Sequence, residues 1–190
     1  DADGVHLGRE DGAVAEARAA LGARRLIGAS CYNDLRLARA AEAQGADYVA
    51  FGSFHASSTK PDAVRASPTL LANARRQLDL PLVAIGGITP ENGALLVAAG
   101  ADALAVISGL FAQADTEAAA RPYAQLFDNA AFEMGLPTAG VPRKWNLFSG
   151  EVGTGNALGG MAWTLFRRNA AAIISALDQV TDVRMLSTPS

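Results

Sequence analysis

The chain has 190 residues, 50% of them hydrophobic and 18% charged, which is enough apolar side chain for one substantial core and too little charge for intrinsic disorder. Its 16 Lys and Arg against 19 Asp and Glu leave a net charge of −3, so there is no general basic field of the kind that holds nucleic acid phosphates. The single cysteine, Cys31, excludes an intrachain disulfide, no apolar run approaches the ~18 residues of a membrane span, and nothing at the N-terminus reads as a secretory signal, so the cytoplasm is the expected address.

From Asp1 to Phe127 one pattern recurs: a short β-prone apolar run, a polar loop, then an Ala-rich helical stretch ended by Gly. Strands are expected at about Gly4 to Leu7, Leu26 to Ser30, Tyr48 to Gly52, Leu82 to Gly86 and Ala103 to Ile107. Helices are expected at Ala13 to Leu21, Asp34 to Gln44, Pro68 to Gln77, Pro90 to Ala99 and Glu117 to Phe127, with Asn33 and Thr89 as N-caps and Pro90 at the first helical position. The clearest internal copies are Ala41 to Gly52 and Val97 to Ser108, where Gly45 and Gly100 stop a helix and Asp47 and Asp102 precede a buried strand. Strands apolar on both faces and separated by helices imply a parallel sheet, either a (β/α)8 TIM-type barrel or an open doubly wound sheet. Five such units are visible where a closed barrel has eight, so the chain reads as the C-terminal part of a barrel, with the first three units expected before Asp1.

Past Phe127 the pattern stops. Residues Asp128 to Ser190 carry Gly and Pro at intervals and a Gly-rich run from Ser149 to Gly160, so a boundary is expected near Phe127, followed by an irregular or helical tail. Met161 to Leu177 is compatible with one helix. Gly153-Thr154-Gly155 lacks the Lys-Ser/Thr pair and the preceding strand of a nucleotide-binding loop and is read as linker.

In parallel α/β folds the reactive groups lie at the carboxyl ends of the strands. After the first strand, Asp11 offers a carboxylate for a hard divalent ion such as Mg2+, while His6 is read as a packed or hydrogen-bonded structural residue. Ser30 ends the second strand where a hydroxyl can reach a phosphate, and Cys31 has no neighbour to activate it as a nucleophile. The third loop carries Ser57, Ser58, Thr59 and then Lys60, whose hydroxyls and point charge suit phosphate or pyrophosphate, and Lys60 is the principal catalytic candidate. Gly86-Gly87 after the fourth strand and Ile107-Ser108-Gly109 after the fifth are small turns, together expected to cradle a phosphate.

These residues, in this order, resemble the thiamine phosphate synthase family. The resemblance rests on Ala2-Asp3-Gly4-Val5-His6-Leu7-Gly8-Arg9-Glu10-Asp11, Ile27-Gly28-Ala29-Ser30, Gly45-Ala46-Asp47-Tyr48-Val49, Thr59-Lys60-Pro61-Asp62, Ala84-Ile85-Gly86-Gly87-Ile88-Thr89-Pro90-Glu91-Asn92 and Val106-Ile107-Ser108, spread over about Asp1 to Phe127. It implies a barrel that joins hydroxymethylpyrimidine diphosphate to a thiazole phosphate with Mg2+, releasing pyrophosphate. By the same likeness Asp11 falls on a metal ligand, and Ser30 and Lys60 on contacts to the pyrimidine diphosphate. Ser57, Ser58, Thr59, Gly87, Ile107 and Ser108 fall on the thiazole phosphate site.

Two residues depart from the family pattern: Arg9 stands where Gln is common and Ser57 where Thr is frequent. The family's first three units and their share of the diphosphate pocket are not in the chain, so an open sheet edge, association to cover it, and little synthase activity for the chain alone are expected. Two other readings are a thiazole tautomerase-like isomerase, against which Tyr32 stands where that relative has a catalytic His, and a noncatalytic phosphate-binding barrel fragment.

Overall fold

The apolar runs pair into one sheet. The computed structural model describes residues 4–56, 63–133 and 164–166. In chain order the elements are β1 (Gly4–Leu7), α1 (Val14–Leu21), β2 (Leu26–Tyr32), α2 (Leu35–Ala43), β3 (Tyr48–Gly52) and α3 (Pro68–Arg75). They continue with β4 (Leu82–Ile85), α4 (Pro90–Ala98), β5 (Ala103–Val106), α5 (Ser108–Phe111), α6 (Thr116–Glu133) and β6 (Thr164–Phe166). The sheet order is β1-β2-β3-β4-β5-β6, with the first five strands parallel to their neighbours. Parallel neighbours in chain order, each linked by a crossover that carries a helix, form the wall of a TIM-type half-barrel.

Both faces of β3, β4 and β5 are largely buried, which is why these strands read as continuous apolar runs rather than alternating ones. On the helix side Ile27, Val49, Phe51, Leu82 and Leu104 pack beneath Leu71, Leu96, Leu110, Tyr123 and Phe127, all with almost no exposed surface. Each such side chain contributes ~1.5–3 kcal/mol of burial. The opposite, inner face is built from small residues, Ala50, Val83, Ala103 and Ala105, with Tyr48 and Ile85 against them.

The two sequence copies build one device twice. Gly45 and Gly100 take positive φ values of 91° and 109° directly after α2 and α4, ending those helices. The Asp47 carboxylate then accepts the Ile27 amide at 2.8 Å and pairs with Arg18 of α1. The Asp102 carboxylate accepts the Leu82 amide at 2.9 Å and pairs with Arg75 of α3. Each copy staples a strand to its neighbour and to the helix covering it, at the rim opposite the βα loops.

The structure departs from expectation at four places. Residues 164–166, expected inside a helix from Met161 to Leu177, form β6, antiparallel to β5 with Leu104 opposite Phe166 and Val106 opposite Thr164. The outer edge of β5 is a row of unpaired backbone groups, and Thr-Leu-Phe is a β-compatible segment that satisfies it. The remainder of that expected helix and the Gly-rich run lie outside the described residues. The cap of α2 is Asp34, whose side chain accepts the Arg36 amide at 2.8 Å, rather than Asn33, which donates weakly to the Arg65 carbonyl at 3.4 Å. Helix α6 continues through Phe127 to Glu133, with no Gly or Pro to stop it before Gly135. Ser108, expected in a turn, opens the short helix α5. Among the described residues β1 pairs only with β2.

Candidate functional site

Because β1 to β5 run parallel, the loops after them lie at one rim of the sheet, and Asp11, Gly86, Gly87, Ile107 and Ser108 belong to those loops. The β4–α4 and β5–α5 turns enclose a pocket lined by Gly86 to Ile88 and Ala105 to Gly109, so Gly86, Gly87, Ile107 and Ser108 share one small concavity. Thr89 caps α4 here, its amide bonded to Asn92 Oδ1 at 2.9 Å, and Asn92 also donates to the Gly87 carbonyl at 3.1 Å.

The paired glycines have a second reason to be there. Gly86 and Gly87 have φ values of 101° and 60°, a left-handed backbone that strains any residue with a Cβ. A Cβ on Gly86 would also lie 2.2 Å from Ser53 Oγ, and one on Gly87 2.1 Å from the Ala56 carbonyl oxygen. The chain after β3 runs close alongside them: Phe54 and His55 donate to the carbonyls of Ile85 and Gly86 at 3.1 and 3.0 Å. Residues 53–56 are thus held against the Gly86–Gly87 turn. Ser57, Ser58, Thr59 and Lys60 of the same loop lie outside the described residues.

Ser30 sits on the inner face of β2, and its hydroxyl is 2.9 Å from His6 Nε2 on β1. His6 Nδ1 is 3.0 Å from the Tyr48 hydroxyl on β3, and the two rings stack with centroids 5.6 Å apart. Gly28 lies between them in the register, opposite both His6 and Tyr48. A Cβ there would fall 2.0 Å from Tyr48 Cζ, so the missing side chain is what lets the tyrosine reach across β2. Burial holds the His6 imidazolium below its ordinary pKa, opposed by the Asp11 carboxylate. Burial, and then the neighbouring Asp47 charge, push the Tyr48 phenol up to about 12. Cys31 faces the helix side, and burial followed by the Asp34 charge raises its thiol to about 12, which agrees with its reading as an inert side chain.

Asp11 is exposed in the β1–α1 loop, with Oδ2 accepting the Gly8 amide at 2.7 Å. Among the described residues no three His, Cys, Asp or Glu side chains cluster as a metal cage. A lone exposed carboxylate nevertheless fits Mg2+, a hard ion that takes one or two carboxylates and fills its sphere with phosphate oxygens and water. Arg9 lies over the ring of Tyr32, its guanidinium carbon 4.7 Å from the centroid, and its amide donates to the Tyr32 hydroxyl at 3.1 Å. Tyr32 follows a register shift in β2 and has a φ of 53°, which turns its ring back over the first loop.

Sequence reasoning did not single out Tyr48, Ser53 or Tyr123. Tyr123 on α6 donates to the Ile88 carbonyl at 3.1 Å, and its hydroxyl lies 2.3 Å from where a Gly109 Cβ would be, so it braces both turns of the pocket from below. Nothing local marks such residues; their roles depend on partners 35 and 42 positions away.

The chain matches the family described as thiamine monophosphate synthase over residues 1–110. It is 62% identical over 128 residues to a thiamine-phosphate synthase of Methylobacillus flagellatus, covering 67% of this chain and 61% of that protein. It is 59% identical over 126 residues to one of Thiobacillus denitrificans, covering 66% of this chain and 60% of that protein. Among solved structures it resembles the thiamine phosphate pyrophosphorylase of Pyrococcus furiosus, with a TM-score of 0.60, 33% identity, and coverage of 68% of this chain and 61% of that one. The chain therefore spans about three fifths of the length of these relatives. The five-stranded wall, the glycine turns at its rim and these likenesses agree, and the chain belongs to the thiamine monophosphate synthase family.

Proposed function

We propose that this chain carries the carboxyl-terminal share of a thiamine phosphate synthase site, a transferase that joins hydroxymethylpyrimidine diphosphate to thiazole phosphate and releases pyrophosphate. The observation that supports the reading is that Asp11, Ser30 and the pocket between the two glycine-bearing turns all belong to the carboxyl-end side of one parallel sheet. In this reading Gly87, Ile107 and Ser108, with Ser57, Ser58 and Thr59, hold the thiazole phosphate, and Gly86 shapes the same turn. Ser30 and Lys60 contact the diphosphate.

Loss of pyrophosphate leaves positive charge on the pyrimidine methylene and gathers negative charge on the leaving group. Lys60 and the Ser30 hydroxyl stabilise that charge where it develops. The thiazole nitrogen attacks with its own lone pair, so the reaction asks no general base of the protein. Asp11 is the residue that would hold Mg2+, which would supply further neutralisation of the leaving group's charge when bound. Among the described residues no helix is long and apolar enough to cross a membrane, and a cytoplasmic address is part of the proposal. So is association through the β1 side of the sheet.

Calorimetric titration of the chain with inorganic pyrophosphate and with thiamine phosphate, with and without Mg2+, tests the reading. Pyrophosphate binding that requires Mg2+ and is lost in Asp11→Asn and Lys60→Ala is expected. Phosphate binding indifferent to Mg2+ would instead identify a noncatalytic phosphate-binding fold.

A further inference from the structure

The His6–Ser30–Tyr48 cluster has a direction. Among the described residues the Tyr48 hydroxyl meets one polar partner, His6 Nδ1 at 3.0 Å, and the rest of its ring packs against the alanine-rich inner face. Burial and the Asp47 charge keep the phenol protonated across the physiological range, so its proton has one acceptor to point at. An Nδ1 that accepts belongs to a neutral ring carrying its proton on Nε2, and burial favours that neutral form. Nε2–H then donates to Ser30 Oγ at 2.9 Å. With one lone pair of Oγ so occupied, the serine's own hydrogen is left to point out of the cluster toward the rim. Had the histidine carried its proton on Nδ1, Ser30 would have to donate inward and could not serve an anion.

We propose that Tyr48 and His6 are positioning residues: the chain Tyr48 O–H to Nδ1, then Nε2–H to Ser30 Oγ, holds the serine hydroxyl as an outward donor to the diphosphate of the substrate. The proposal rests on the functional reading only for the identity of that anion; the direction of the chain is a property of the folded protein alone. Three features support it together. The register sets His6, Gly28 and Tyr48 in one row across three strands. The absent side chain of Gly28 opens the path for the tyrosine. The His6 and Tyr48 rings stack, 27° from parallel with centroids 5.6 Å apart, which limits rotation of the imidazole. Hydrogen bonds aligned in sequence in a low-dielectric interior polarise one another, which makes the terminal serine a better donor than an isolated hydroxyl.

Long-range proton–nitrogen correlation spectra of the uniformly 15N-labelled chain at neutral pH read the tautomer directly, and the chain has only two histidines to assign. The expected His6 spectrum is that of a neutral ring protonated at Nε2. Tyr48→Phe keeps the ring over Gly28, removes only the hydroxyl, and is expected to shift His6 toward a mixture containing the Nδ1–H form. A wild-type His6 protonated at Nδ1, or at both nitrogens, overturns the proposal. Titration with inorganic pyrophosphate in the presence of Mg2+ supplies the second reading. Ser30→Ala is expected to weaken binding by about tenfold or more, Tyr48→Phe by roughly three- to tenfold, and the double variant no further than Ser30→Ala. Losses that simply multiply in the double variant would show that the tyrosine does not act through the serine, and would also overturn it. A wild-type chain with the Nε2–H tautomer that binds no pyrophosphate refutes the functional reading and the assigned anion, while the hydrogen-bond direction is upheld by the spectrum.

Discussion

Replacing Asp47 by Ala removes an acceptor from one of the two repeated staples, and the structure sets the size of the loss. Ile27 is fully buried, and its amide donates to the Asp47 carboxylate at 2.8 Å. Left without that acceptor, the amide costs ~1–3 kcal/mol. The ion pair with Arg18 adds about 1 kcal/mol, a modest figure even though the two side chains are only 21% and 20% exposed. The reason is that Arg18 keeps the carbonyls of Gly22, Arg25 and Gly45 as acceptors at 2.6 to 3.2 Å and is not stranded. Asp47→Ala is therefore expected to destabilise the fold by ~2–4 kcal/mol, lowering Tm by about 10 °C. Asp47→Asn retains a carbonyl oxygen for the Ile27 amide, loses only the charge, and is expected to lose about 1 kcal/mol. Urea unfolding followed by circular dichroism at pH 7, with the denaturant slope unchanged, measures both. Equal losses in the two variants would refute the argument, because they would place the stabilisation in the ion pair rather than in the capped strand amide.

Three further outcomes follow from other parts of the wall. Gly87→Ala forces a Cβ to within 2.1 Å of the Ala56 carbonyl oxygen at a φ of 60°, so the turn must move. Thiamine phosphate affinity, measured by calorimetry, is expected to fall at least about tenfold, with the strain itself costing ~1–2 kcal/mol; unchanged affinity would refute the role of this turn. Cys31 is 1% exposed with its thiol pushed up to about 12, so a disulfide reagent is expected to leave it unmodified in buffer and react fully in denaturing urea; fast native labelling would contradict its burial. For His6, burial lowers the folded pKa below the ordinary 6.5, so the unfolded chain takes up a proton that the folded chain resists. That contribution to stability is complete above about 6.5 and declines as pH falls below it. Unfolding free energy is expected to drop between pH 7 and pH 5 in the wild type and to drop less in His6→Gln; identical slopes would remove His6 from the account.

Much of the wall was legible locally. Gly4–Leu7 and Tyr48–Gly52 coincide with their expected limits, and the other three parallel strands differ only at their ends. These limits are legible because a buried parallel strand is a short apolar run, and the Gly before it ends the preceding helix through its own backbone. The rim positions of Asp11, Ser30, Gly86, Gly87, Ile107 and Ser108 followed as well, since parallel strands send all their following loops to one side.

What composition and periodicity could not supply were contacts between residues far apart in the chain. Nothing local assigns a role to Tyr48, or more than a structural one to His6, and with Ser30 they form one hydrogen-bonded cluster only because the register places Gly28 between two of them. The glycines at 86 and 87 announced a turn, but not that the β3 loop would fill the space their side chains leave. The strand at 164–166 shows the same limit from the other side: local pattern favoured helix there, and the unpaired edge of β5, a demand for backbone partners that no single segment carries in itself, prevailed.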